Sequence, residues 1–379
     1  MPADAGGCSD ILRTSGGPGG RRPDRRRPRN KTTTDMKLDT FSDYARKGAM
    51  CVLGLGLAVT AALPLTSCEG IMEDLEECPQ GLRLRFVYDY NMEFANAFPS
   101  QVDCLTVLFY DAEGNYVTTR TNTDREQLGD EFWRMTVDLA PGTYSILAYG
   151  GLEDSKANFS FTSDPETTPM KDLQVRLGSN FITSPAGTQL HPLFYGQLET
   201  AEVGEDDTTY RDVTVRMMKD TNNIRILLQN LNGDPLSGDD FTINITDDNT
   251  LLNYMNDVVA QQEITYWPWT KGQQSAGVLD DGREAMLAYA ELSTSRLVAG
   301  HDARLRVTAN DNGRTIIDIP LVNYLLLLKS QEFDKMGAQE FLDRESRWAV
   351  TFFLQGDGTW MDAYIKVNDW IVRINNTEF

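Results

Sequence analysis

Histidine is nearly missing from this chain: His191 and His301 are the only two among 379 residues. With imidazole so scarce, a metal centre built on Cys and His lacks ligands, and no metal site is expected. The aspartate pairs Asp239-Asp240, Asp247-Asp248 and Asp280-Asp281 lack the spacing of a calcium loop and read as turn residues. No G-x-S-x-G, P-loop or paired dinucleotide fingerprint occurs. The chain is therefore not expected to be an enzyme: no catalytic residue, cofactor or small-molecule substrate is assigned. Basic charge is also short. Lys and Arg number 35 against 56 Asp and Glu, a net charge of −21, which argues against nucleic acid as a partner because phosphate binding needs a basic face. Downstream of residue 67, long apolar runs are lacking too. "LVNYLLLLK" (321–329) is too short for a membrane span and reads as a core strand or helix.

What is present divides unevenly. Residues 1–67 hold 11 basic and 6 acidic residues, whereas the rest holds 24 and 50. The first 35 residues, centred on "GGPGGRRPDRRRPRN", have no apolar face and cannot pack a core. They read as an over-extended start or a disordered leader, with Met36 as the working initiator. Residues 36–67 then have the order of a lipoprotein signal peptide. Lys37 and Arg46-Lys47 form the basic region, "GAMCVLGLGLAVTAALPL" (48–65) the apolar region, and Leu65-Thr66-Ser67-Cys68 a lipobox. Small residues before the cysteine let a peptidase groove reach the backbone. The Cys68 thiol accepts a diacylglyceryl group, and each buried CH₂ of such a chain contributes about 0.8 kcal/mol to anchoring. Cys68 is thus expected to be the first residue of a lipid-anchored protein. Residues 68–78, with "EGIMEDLEE" after the cysteine, form an acidic tether. The acids read either as a mark for export to the outer face of the outer membrane or as a solvated spacer.

Five cysteines occur. Cys8 and Cys51 leave with the leader and Cys68 is acylated. Cys78 and Cys104 remain, and in an oxidising compartment they form either a disulfide or two free buried thiols.

From residue 79 the pattern is all-β. "LRLRFVYDY" (82–90) alternates with period two, "CLTVLFYD" (104–111) is apolar throughout, and "FWRMTVDL" and "FTINITD" alternate again. Turn signals recur between such runs, among them Pro141-Gly142 and the hairpin pair Asn312-Gly313. Short strands at this spacing predict sandwiches, one over 79–219 and a second over 220–379. Residues 151–212 look irregular. The clearest helix signal is 330–346, where Phe333, Met336, Phe341 and Leu342 share a face. Trp267 and Trp269 in "YWPWTK", with Trp360 and Trp370, read either as a sugar-binding platform or as packing residues. Asp207-Thr208-Thr209 fits a short O-glycosylation tripeptide that chance also produces often.

Six stretches taken in order carry a resemblance: "ECPQGLRLRFVYDYN", "VDCLTVLFYDAEGNYV", "APGTYSILAYGGL", "TNNIRILLQNL", "QEFLDRESRWAVTFFL" and "IKVNDWIVRINN". Together with the lipobox they resemble the FimB-type fimbrial anchor lipoproteins of type V fimbriae. That resemblance implies two transthyretin-like β-sandwich domains in tandem. It also implies a non-enzymatic role: a surface-exposed, lipid-anchored protein of the outer membrane that holds the base of a fimbria and ends its growth by strand addition with the shaft subunit, a fimbrillin. The alternative is a surface glycan-binding β-sandwich lipoprotein. Stalk subunits of this class are implied to lose an N-terminal piece to a protease that cuts after Arg or Lys. Residues 69–82 contain neither; the first is Arg83, inside an expected strand.

Overall fold

Four sheets build the structure, a computed structural model that describes residues 80–373 except 180, 182–186, 280, 328, 330–332, 356–358 and 368–369; of 360–373 the backbone alone is described. The largest sheet runs in the order β3 (Tyr116–Asn122), β2 (Leu105–Tyr110), β5 (Gly142–Gly150), β8 (Phe194–Val203), β9 (Tyr210–Lys219), β1 (Gly81–Val87) and β4 (Met135–Asp138). β9 is the strand that folds it into a sandwich. Only three of its residues pair with β8, at Phe194–Gly196, and its remaining length pairs with β1. Short helices α1 (Phe98–Gln101) and α2 (Arg125–Leu128) cap this half; Asp124 accepts the N–H groups of Glu126 and Gln127 to start α2.

The second half holds a six-stranded sheet, β14 (Thr270–Val278), β15 (Glu284–Thr294), β10 (Asn222–Asn230), β18 (Arg347–Leu354), β19 (Trp360–Val367) and β20 (Trp370–Arg373). Over it lies a four-stranded sheet, β13 (Ile264–Tyr266), β11 (Phe241–Asp247), β16 (Arg304–Ala309) and β17 (Thr315–Pro320). Helices α3 (Leu321–Leu326) and α4 (Ala338–Arg344) connect β17 to β18. The halves share one device. The first strand of each pairs antiparallel on one side and parallel on the other: β1 with β4 and β9, β10 with β15 and β18. The protein is thus all-β, with sandwiches in tandem.

Alternation read from the sequence maps onto burial. Leu82, Leu84, Phe86 and Tyr88 are buried, while Arg83 is exposed. These residues pack with Val107, Phe109, Ile146, Val215 and Met217 in the core of the first sandwich. β2 is buried throughout and nearly all apolar because both of its faces are covered. Val107 and Phe109 face that core, whereas Leu108 and Tyr110 join a second core with Ile226, Leu228, Ile245, Val307 and Phe352. A small fourth sheet ties the halves further, since β12 (Leu251–Asn253) pairs with β7 (Gln174–Leu177), which pairs with β6 (Phe159–Phe161). The described residues accordingly fall in one compact unit, 74–379.

The structure corrects two expectations and bears out two others. The span 151–212 contains β6, β7, β8 and the start of β9. The helix expected over 330–346 is α4, which begins after Gly337; glycine in a helix interior costs about 1 kcal/mol relative to Ala, so the helix starts there. The run at 321–329 supplies α3. The hairpin at Asn312-Gly313 joins β16 to β17, with Gly313 at φ 68° as a left-handed turn requires.

Candidate functional site

Cys68 and the lipobox residues Leu65, Thr66 and Ser67 lie outside the described residues, as does Cys78. Cys104 is buried at the entry to β2, and burial pushes its thiol pKa up, so it is not poised as a nucleophile. Asp239 and Asp240 belong to a helical turn capped by Ser237, and Asp281 pairs with Arg283. Trp267 and Trp269 flank Pro268 between β13 and β14 and are both half-buried. The Trp269 indole N–H is buried without a partner, so this ring does not offer its polar edge to a sugar. The side chains of Trp360 and Trp370 fall outside the description.

Arg83 sits in mid-strand in β1, between β9 and β4, directly opposite Asp212. Its guanidinium grips the Asp212 carboxylate with two hydrogen bonds of 2.6 Å each. A protease needs an extended, free backbone. The peptide after Arg83 is paired on both edges.

Sheet edges are the second kind of site. β14 and β20 form opposite edges of the six-stranded sheet, and β3 and β4 those of the seven-stranded one. β14 reads "TKGQQSAGV": it has one charge, Lys271, no proline, and is exposed from Gln273 to Val278. Natural edge strands are usually blunted by charges, proline or a cover, and β14 has little of any.

The third feature lies where the halves meet. A groove of about 510 Å³ is lined by Tyr90, Phe94, Tyr195, Met217, Met218 and Arg344 among others. The Arg344 guanidinium stacks 4.1 Å from the Tyr90 ring centroid and 4.7 Å from that of Phe94, and it is oriented by Glu340 at 2.8 Å. Phe94 is 56% exposed and adopts φ 51°, uncommon for a bulky residue.

Beneath the groove runs a buried polar network. Arg296 holds Asp343 with hydrogen bonds of 2.9 and 2.8 Å, and Gln339 donates to the same carboxylate at 2.8 Å. Arg296 also donates to the Asn256 carbonyl, and the Asn256 side chain donates to Asp220 at 2.7 Å. Asp220 lies in the two-residue link between β9 and β10. It is 1% exposed, and its second oxygen has no partner. Burial pushes its pKa up to about 7, offset in part by the Arg296 charge and the Asn256 hydrogen bond. Neither the groove nor the network was legible in sequence: their members come from six separate segments. An acid between two apolar strands was the only available signal.

Among the described residues these features offer sheet edges, a groove and a buried polar joint. The chain is similar to the minor fimbrium anchoring subunit Mfa2 of Porphyromonas gingivalis, 22% identical over 311 residues, which is 82% of this chain and 90% of that protein. The solved structure of that fimbrial anchor protein matches with a TM-score of 0.57 at 19% identity, a likeness of fold, over 78% of this chain and 99% of the other. A crystal structure of a candidate adhesin from Bacteroides thetaiotaomicron matches with a TM-score of 0.76 at 50% identity, over 80% of this chain and all of that one. Another from the same organism, described as a candidate polysaccharide-binding protein, matches at 29% identity and a TM-score of 0.66, over 79% and 99%. The family described as fimbrillin-A associated anchor proteins Mfa1 and Mfa2 matches residues 75–376. With that match spanning nearly the whole β-rich part, the chain belongs to the fimbrillin-A associated anchor family.

Proposed function

We propose that this protein is an outer-membrane lipoprotein, tethered through Cys68, that holds the base of a fimbria and ends its growth through strand addition with a fimbrillin. The observation that carries the reading is the family match over residues 75–376 directly downstream of a lipobox. Three further features support it. The tether lacks Lys and Arg, and Arg83 is locked within β1, so a protease that trims after basic residues finds no open site between lipid and sandwich. The acidic surface suits the cell exterior. The free edge of β14 has unpaired main-chain groups that an extended fimbrillin segment would satisfy, with main-chain hydrogen bonds giving affinity.

The role asks for geometry and adhesion, not chemistry. Lipid chains hold one end, the paired strands carry load, and the edge receives the partner. A glycan-binding role would need an open aromatic face, and the buried Trp269 indole N–H speaks against one at "YWPWTK". Cys78 and Cys104 remain proposed as a disulfide that pins the tether to β2.

Deletion of the gene tests the anchor role, with electron microscopy of the cells and of the medium. Shed or abnormally long fimbriae are expected. Complementation with the intact chain restores short, retained fimbriae, whereas complementation with Cys68→Ser leaves the protein in the soluble fraction and the fimbriae shed. Unchanged fimbriae in the deletion strain would sink the reading.

A further inference from the structure

Asp247, Asp248 and His301 are brought together by the fold from two segments distant in sequence. Asp247 ends β11, Asp248 follows it, and His301 lies in the loop leading to β16. One carboxylate oxygen of each aspartate and one imidazole nitrogen lie within 4.8 Å of one another. His301 Nδ1 is 3.4 Å from Asp248 Oδ1. Two ligands on a tetrahedral cation with bonds of about 2.0–2.1 Å stand roughly 3.4 Å apart, so this pair already has a metal-ligand spacing.

A second observation separates this cluster from an ordinary acidic turn. Asp247 is 4% exposed, yet one of its carboxylate oxygens, Oδ2, is buried with no hydrogen-bond partner. Its other oxygen accepts the Asp248 N–H at 2.9 Å, which ties this carboxylate to the backbone of the next ligand residue. An unpaired buried carboxylate oxygen is costly, and a cation is the partner that removes that cost. The neighbours hold the frame still. Asp248 accepts the Gln261 N–H at its carbonyl (3.1 Å), and the His301 N–H is held by Val298 (3.1 Å). Tyr266 donates to Asn249 at 2.6 Å, and Asn249 donates to the Arg296 carbonyl at 2.9 Å. Asp248 and His301 are each about one-third exposed, which leaves an approach from solvent and room for water to complete the coordination.

We propose that Asp247, Asp248 and His301 form a binding site for one divalent cation of the zinc class. An imidazole nitrogen with two carboxylates favours zinc over calcium or magnesium, which prefer oxygen alone. The bound cation ties the end of β11 to the β15–β16 loop, the same loop that carries Arg296. The other His/Asp grouping, Asp103, Asp154 and His191, differs: its members are all partly exposed, and His191 Nε2 is already engaged by Asp103 at 3.1 Å. It has no orphaned buried oxygen and is not assigned a metal.

The test uses the full chain without an affinity tag, stripped with chelator and loaded with zinc, and reads metal content per chain together with thermal unfolding with and without zinc. Zinc content falls by one per chain in His301→Ala and in Asp248→Asn, and the rise in Tm on adding zinc is lost in both. His191→Ala keeps both readings, and calcium or magnesium gives no rise in the unaltered protein. Zinc at other groups, cysteine thiols included, is the same in every variant and cancels. Equal zinc content in the unaltered chain and in both site variants overturns the proposal, as does loss in His191→Ala alone or stabilisation by calcium in place of zinc. Asp248→Asn decides if His301→Ala fails to fold.

Discussion

Replacing Asp220 with Asn isolates the electrostatic cost of the joint between the sandwiches. The carboxyl has an ordinary pKa of 3.8 and is raised to about 7 in the fold. The groups facing it are Arg296, which favours its charge, Asn256, which donates to it, and Asp343, which opposes its charge. Because the folded pKa lies above the unfolded one, the native state binds the proton more tightly. Stability from this group is highest at low pH and falls as pH rises from about 4 to about 7. At about 1.36 kcal/mol per pKa unit, the full loss is on the order of 4 kcal/mol, of which about 2.5 kcal/mol falls between pH 5 and pH 8. Asn keeps an oxygen for the Asn256 donor and has no titration. Its amide N–H takes the place of the unpartnered oxygen and costs about 1–3 kcal/mol at every pH. Denaturant unfolding of both proteins at pH 5 and pH 8 forms a cycle in which all shared titrations cancel. The variant is expected to gain about 2.5 kcal/mol on the parent between pH 5 and pH 8. A change below about 0.5 kcal/mol across that interval would refute the argument that Asp220 is held neutral by burial.

Other outcomes follow from the same geometry. Arg296→Met strands the buried Asp343 carboxylate, and unfolding midpoints should report a loss of about 3–5 kcal/mol. Ser275→Lys with Ala276→Lys places two charges on the exposed edge of β14 and should leave Tm within a few degrees while reducing the fimbriae retained after shearing; full retention would move the contact off this edge. Mass spectrometry before and after reduction and alkylation should show Cys78 and Cys104 gaining label only after reduction.

Much of the fold was legible because its signal is local. β1, β4 and β11 each bury one face, so their alternation survives in the sequence as written. β2 looked apolar on both faces and is so, because two cores meet across it. The strands from 251 to 294 carried no such signal. β14 is exposed over most of its length and therefore has no alternation. β15, "EAMLAYAELST", is rich in Ala, Leu, Met and Glu, which favour helix, and only its place between β14 and β10 makes it a strand. Among candidate sites, the lipobox is a contiguous motif and was readable. The Asp247–Asp248–His301 grouping was set down as a turn because its third member lies in another loop. Asp220, Asn256, Arg296 and Asp343 converge only through tertiary packing.

The parallel pairing of β1 with β9 has a mechanical meaning. In the proposed anchor role, tension entering from the N-terminal side reaches the sandwich at Gly81 and pulls β1 along its own length. The register from Gly81↔Tyr210 to Val87↔Arg216 then bears that pull in shear, all seven pairs together, rather than peeling one rung at a time. A link of this kind yields only when the whole ladder slips, so the first strand acts as a cleat against which a filament can tug.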